Sequence, residues 1–202
     1  MAQPDPEKIE RLRQALADYA AGEAGEPLVD REEEKAKSKV RERALRLLDQ
    51  RDRSRHELHQ RLVDAEFPEA TVVAVLDDLV NAGLIDDARF ATEWVRQRHA
   101  RRGKSARVLD MELQRKGVAD VDRQEALEQI DESDEETIAR QLAAKKARSV
   151  KSEPERGPER DKALRRIVGV LARRGFPEGM ALRIAIDALD SRCAELAGDA
   201  AE

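Results

Sequence analysis

Two sets of residues in this chain have the types and spacing for chemistry: a pair of acids beside an aromatic helix, and dense runs of arginine. Asp86 and Asp87 stand side by side, as paired carboxylates for acid–base work would, but they precede an apolar-periodic segment with Phe90 and Trp94 four apart. Acidic side chains there cap free helix amides and complement the helix dipole, so both are read as helix-start residues. His56 and His59 lie three apart on a predicted helix, yet no third ligand of suitable spacing accompanies them, and a metal site is not supported. The sequence offers no glycine-rich phosphate loop, no Ser, His and Asp arrangement in a suitable context, and no zinc spacing. A lone Cys193 can form neither an internal disulfide nor a thiolate metal cluster. The expectation is a protein with no enzymatic activity, no cofactor and no metal.

The arginines carry more. Arg96, Arg98, Arg101, Arg102, Lys104 and Arg107 follow one another with no acid between them. On a helix Arg98, Arg101 and Arg102 share one side and Arg96 lies off it, which makes a broad basic sector. Such a run is either a solvated helix face or a surface for phosphates or acidic groups, which guanidinium forks grip equally well. Arg165, Arg166, Arg173 and Arg174, joined by Lys145, Lys146 and Arg148, form a second group, and Lys116 is a further candidate for partner contact. The net charge of −5 argues against a general DNA coat, but the average hides +6 over residues 94–118 beside −8 over residues 119–137. Three Phe, one Tyr and one Trp, mostly needed for packing, equip the chain poorly for stacking on single-stranded bases. Nucleic acid, single-stranded or duplex, is expected only as a secondary contact.

What must position these residues is helical. The 202 residues are 40% hydrophobic and 40% charged with 2% aromatics, a balance that suits thin helical units packed through Leu, Val, Ile and Ala. No run approaches the roughly 18 apolar residues that span a bilayer, and Met1-Ala2-Gln3-Pro4-Asp5 lacks the order of a signal peptide; no membrane association and a cytoplasmic location are expected. Ile9, Leu12, Leu16 and Tyr19 mark a narrow stripe in an N-terminal extension, residues 1–37, read as partly helical or mobile. From Ser38 the signals strengthen. Val40, Ala44, Leu47 and Leu48 face one way on a helix, and Ser54 with Glu57 has capping-box spacing. Phe67 and Pro68 form a joint, Val72, Val75, Leu76 and Leu79 line a third helix, and Asn81 to Gly83 end it.

The pattern recurs. Leu58, Leu62, Phe67, Val75 and Leu79 map at a constant offset of 51 onto Leu109, Leu113, Val118, Ala126 and Ile130, and at a further 58 onto Ile167, Leu171, Phe176, Ile184 and Ala188. Lys116-Gly117-Val118 and Arg174-Gly175-Phe176 place a base, a glycine and an apolar plug at the same turn. The predicted fold is all-α: three tandem three-helix repeats over 38–86, 87–133 and 134–192, in an elongated, curved array. A flexible loop is expected near 151–160 and a tail over 193–202.

Several of these residues together carry a family resemblance. Ser54-x-x-Glu57-Leu58, Gly83-Leu84-Ile85-Asp86-Asp87-x-x-Phe90-Ala91, Glu112-Leu113-x-x-Lys116-Gly117-Val118 and Arg173-Arg174-Gly175-Phe176, in this order, resemble the RecX family of regulators of the recombinase RecA. The resemblance spans roughly Val40 to Leu189. It implies a non-enzymatic protein, expected as a monomer, that lies in the groove of the RecA filament on single-stranded DNA. There it restrains ATP hydrolysis, strand exchange and filament extension. Trp94 stands where the family more often has Tyr, and the segments before Ser38 and from Ser152 to Pro158 exceed the family pattern. Two other readings predict different behaviour: a helix-turn-helix-like DNA binder acting without RecA, and a plain helical scaffold.

Overall fold

The computed structural model describes residues 9, 10, 13, 14, 16, 17, 31–155 and 157–199. Leu12 and Tyr19, half of the predicted N-terminal stripe, lie outside the described residues, while Ile9 and Leu16 are helical and exposed. The long helices α1 to α9 follow as three triplets: Arg31–Gln50, Arg55–Val63 and Glu69–Asn81; Asp87–Arg102, Ala106–Arg115 and Asp120–Leu127; Glu132–Ala147, Pro158–Ala172 and Glu178–Asp199. No strand occurs among the described residues. The all-α class and the repeat follow directly from the periodicity.

Each triplet has its own core. Leu58, Leu62 and Val75 pack with Val40 and Ala44 of α1; Leu109, Leu113 and Ala126 pack with Ala91 and Val95 of α4; Ile167, Leu171 and Ile184 pack with Ala139 and Ala143 of α7. Every position in the internal alignment is buried except Phe67, Ile130 and Ala188, which are partly buried against the same cores. Phe176 is an inward plug in the third core. The extensive helix-on-helix packing falls within triplets, so the triplets meet through turns and helix caps.

Helix ends show where local chemistry decides. α1 begins at Arg31, seven residues before the expected first repeat at 38. Its first turn holds Glu32, Glu33 and Glu34 at the positive end of the helix dipole, and Lys35 and Lys37 pair back to Glu32 and Glu33. Apolar periodicity starts only at Val40, which is why it misses this polar opening. α9 runs to Asp199, past the expected start of a tail at 193. α8 opens with Pro158 in its first turn, inside the predicted 151–160 loop.

The two joints between triplets are chemically alike. At the first, the Ser54 hydroxyl donates to the Lys116 carbonyl at 2.6 Å, and the Arg55 amide donates to Asp87 Oδ1 at 2.8 Å. At the second, the Ser105 amide donates to the Arg174 carbonyl at 3.0 Å, and the Ala106 amide donates to Glu135 Oε1 at 2.6 Å. Both serines also cap their own helices, accepting from Glu57 N and Val108 N, and both are buried. In each joint a free amide at one triplet's second helix is thus satisfied by a carboxylate from the next triplet. The glycines that follow Lys116 and Arg174 are left-handed, with φ +70° and +86°, and press their bare Cα against His56 and against Val108 and Ser105.

Candidate functional site

The first joint and the helix that leaves it, α4, carry a connected cluster of charge. Asp86 caps α4 by accepting from the Arg89 amide at 2.8 Å, whereas Asp87 reaches back to the first triplet. Burial pushes the Asp87 carboxyl up, against the lowering effect of the Arg55 amide. Gly103, left-handed at φ +56°, ends the helix, and its amide donates to the His99 carbonyl.

Between these ends Phe90, Trp94 and Arg98 recur every fourth residue and share one face. The Phe90 and Trp94 ring centroids are 5.5 Å apart. Arg98 Cζ lies 3.5 Å from the Trp94 ring centroid, and Lys116 Nζ, from the turn after α5, lies 4.1 Å from it. The indole N–H donates to Glu112 Oε2 at 3.0 Å, while Glu112 Oε1 accepts from Lys104. Lys116 continues to Glu57 Oε1 at 2.6 Å, and Arg51 grips both Glu57 oxygens at 3.0 and 3.1 Å. The result is an alternating chain of charges, Arg51–Glu57–Lys116 on one side and Arg98–Glu112–Lys104 on the other, joined through the face of Trp94. Cation–π contacts of this kind contribute about 0.5 to 2 kcal/mol each, more as they are desolvated.

The electrostatics follow. Burial raises the Glu57 carboxyl, but hydrogen bonds and charge from Arg51 and Lys116 outweigh it and hold the group at about 2. Glu112 is lowered in the same way, burial opposing and Lys104, Trp94 and Arg98 prevailing. Outside this network a groove of about 390 Å³ opens over Phe90 and Trp94, rimmed by Arg51, Arg98, Arg101 and Arg102.

The basic run 96–107 does not form one surface. Arg101 and Arg102 are exposed at the groove rim and free of ion pairs among the described residues, Arg96 pairs with Glu93 at 2.7 Å, and Arg98 is half-buried on Trp94. Lys104 and Lys116 turn inward to carboxylates. Arg107 faces a different cleft beside Met111 and Phe176. In the third triplet Arg165, Arg166 and Arg173 line a separate groove with Lys146, whereas Arg148 sits on yet another face with Arg140 and Asp187. Arg174 bridges the two regions: its guanidinium lies against Gly103, 3.2 Å from where a Cβ would stand.

Sequence reasoning missed Arg51, Glu57 and Glu112 as site residues. The Ser54–Glu57 spacing predicts a capping box, but only its serine half forms, because Glu57 is drawn to Arg51 and Lys116 instead. A reciprocal box exists at Asp131 and Asp134, where both members are acids. Arg53 was also unmarked: it is buried and donates from Nε to the Leu47 carbonyl at 2.9 Å, closing the end of α1. Of the two histidines, His59 approaches Glu69 at 3.7 Å and His56 lies under Gly117; no group of three metal-ligating side chains occurs among the described residues. Nor is any described helix long and apolar enough to cross a membrane.

Comparison with known proteins matches this architecture. Residues 41–79 match the model for the first three-helix domain of RecX, and residues 86–127 match that for its second. Among solved structures, a crystal structure of RecX from Lactobacillus salivarius superposes with a TM-score of 0.64 at 24% identity, covering 77% of this chain and 97% of that one. A second, described as regulatory protein RecX, gives 0.64 at 26% identity over 74% of this chain and 72% of that one. Streptomyces coelicolor regulatory protein RecX is 42% identical over 168 residues, 83% of this chain and 84% of its own length. Regulatory protein RecX of Corynebacterium efficiens is 54% identical over 192 residues, 94% of this chain and 91% of its own. With the repeat, the joints and this identity along both sequences, the chain belongs to the RecX family of regulatory proteins.

Proposed function

We propose that this chain regulates RecA by binding its filament on single-stranded DNA, restraining ATP hydrolysis, strand exchange and filament extension, with the Trp94 groove as a principal protein contact. The observation that carries the site is the groove's composition: an aromatic floor from Phe90 and Trp94 under a rim that includes the unpaired Arg101 and Arg102. Trp and Arg dominate the binding energy of protein interfaces, and unpaired rim charges steer an acidic partner into register. The internal network beneath holds the rings and Arg98 rigid, so little ordering cost falls on binding. Repeats joined by two like latches present elements at intervals, which suits a partner that is itself a helical polymer. The chain acts as a monomer in the cytoplasm, without a cofactor.

Charge reversal of Arg101→Glu with Arg102→Glu tests the site. Both side chains are exposed and make no ion pair among the described residues, so the thermal midpoint is expected to hold. Affinity for RecA filaments, measured by co-sedimentation or interferometry, is expected to fall by about ten-fold or more, equivalent to roughly 1.4 kcal/mol or above. Undiminished affinity in this variant would remove the groove from the interface.

A further inference from the structure

The third triplet carries a second basic surface of different chemistry. Along α8 and its C-terminal cap, Lys162, Arg165, Arg166, Gly169 and Arg173 fall at helical spacing on one side, and Lys146 joins them from α7. Together these six residues line a groove of about 410 Å³. None of the five charged groups makes an ion pair or hydrogen bond among the described residues, although other cations of this triplet are paired. Arg183 and Arg140 hold Glu136, Arg192 holds Glu195, and Arg160 holds Asp190. Like charges three and four residues apart repel on a helix, so a stripe of them left unpaired awaits an anion.

Gly169 supplies an independent sign. A glycine in the middle of a helix is a poor helix former, yet here its missing side chain forms the groove floor. A Cβ at this position would lie 3.3 Å from Nη1 of Arg173, whose guanidinium folds back over the glycine. The glycine thus makes room for that guanidinium, which it seats in the groove beside the other cations.

The lining also discriminates between partners. Protein interfaces place apolar and aromatic groups at their centre and exclude charge from it. This groove is lined by cations and a glycine, and the apolar Val150, Pro154 and Ile167 lie in a separate cleft that shares Lys146, Lys162 and Arg166 with it and also holds Glu159. Nucleic-acid interfaces are polar and strongly positive, and most of their contacts go to phosphates. Lys162 to Arg173 spans about 16 Å at 1.5 Å per residue, and one strand of a duplex carries a phosphate about every 3.4 Å of axis. The stripe thus runs along roughly four or five phosphates. The third helix of the triplet, α9, adds no free arginine for base edges, since Arg183 and Arg192 are both ion-paired.

We infer that the α7–α8 groove of the third triplet is a binding site for the phosphodiester backbone of a nucleic-acid strand, held without base readout. It is a contact separate from the Trp94 groove and does not depend on RecA. The test uses the full chain, no RecA, and fluorescein-labelled 20-mer oligonucleotides, single-stranded and duplex, followed by anisotropy from 50 to 200 mM salt. Arg166→Glu with Arg173→Glu is expected to weaken binding at least ten-fold at 50 mM salt. It should also flatten the slope of log affinity against log salt by about 0.7 per lost contact on single strands and about 0.9 on duplex. Gly169→Leu displaces the Arg173 guanidinium without altering charge and is expected to weaken binding several-fold, while Arg101→Glu with Arg102→Glu leaves it intact. The inference is overturned if the wild-type chain binds neither oligonucleotide, or if the groove variants bind as it does. Displacement of the oligonucleotide by poly-glutamate at equal charge concentration would overturn it too, by assigning the groove to acidic protein.

Discussion

Gly175→Ala is expected to destabilise the chain by about 2 to 5 kcal/mol, combining the cost of a left-handed alanine with overpacking of a close joint. The residue sits at φ +86°, and a Cβ there would stand 2.2 Å from Val108 Cγ2 and 2.6 Å from Ser105 Oγ. Val108 is branched and Ser105 is buried and committed to capping α5, so neither yields without moving the second triplet. Gly83→Ala is the matched control. Its φ is +70°, but nothing lies within 4 Å of the new Cβ, which leaves only the backbone penalty of roughly 1 to 2 kcal/mol. Urea unfolding measures both, and hydrogen exchange should rise first in α5 and α8 of the Gly175 variant. Equal losses in the two variants would show that the close approach between triplets does not contribute.

Glu57→Gln should remove most of the acid sensitivity of the first joint. Arg51 and Lys116 hold the folded carboxyl at about 2 against an ordinary 4.5, so this group stabilises the fold fully above about pH 4.5. The contribution is then lost as pH falls toward 2. Its ceiling is about 3.5 kcal/mol, because each pH unit that separates the folded from the ordinary value corresponds to about 1.4 kcal/mol. The Glu57 side chain is only 18% exposed, so screening takes little from it. Asp87, at the same joint, works in the opposite direction: burial raises its carboxyl, so protonation on acidification relieves the cost of a buried charge and offsets part of the loss. The wild-type urea midpoint is expected to fall between pH 5 and 3 more steeply than that of Glu57→Gln, with the variant already weaker at pH 7. Parallel pH profiles would place the acid-labile group elsewhere.

The fold was legible because it rests on local spacing. The Leu, Val and Ile offsets recover all three cores, and the repeated base–glycine–plug turn marks where triplets join. The helix that opens at Arg31 escaped because its first turn is held by glutamates rather than by an apolar face. The site was legible only as a concentration of charge. Lys116 pairs with Glu57 59 residues away, and Asp87 satisfies an amide 32 residues away. No local pattern tells an arginine that faces solvent, such as Arg101, from a lysine that turns inward, such as Lys104. Nor does helical spacing reveal that Arg107 and Arg102 open onto different clefts.

The basic residues divide the labour in three dimensions. Some hold the joint, some rim an aromatic groove suited to protein, and some line a groove suited to phosphate. The proposed regulation of RecA through the aromatic groove is read out in ATP hydrolysis. Purified chain is added to preformed RecA filaments on single-stranded DNA, and the hydrolysis rate is followed at rising ratios. The rate is expected to fall at stoichiometric amounts, with Arg101→Glu plus Arg102→Glu needing about ten-fold more protein for the same effect, roughly the 1.4 kcal/mol expected of the contact. A rate that the wild-type chain leaves unchanged at stoichiometric ratios would contradict it.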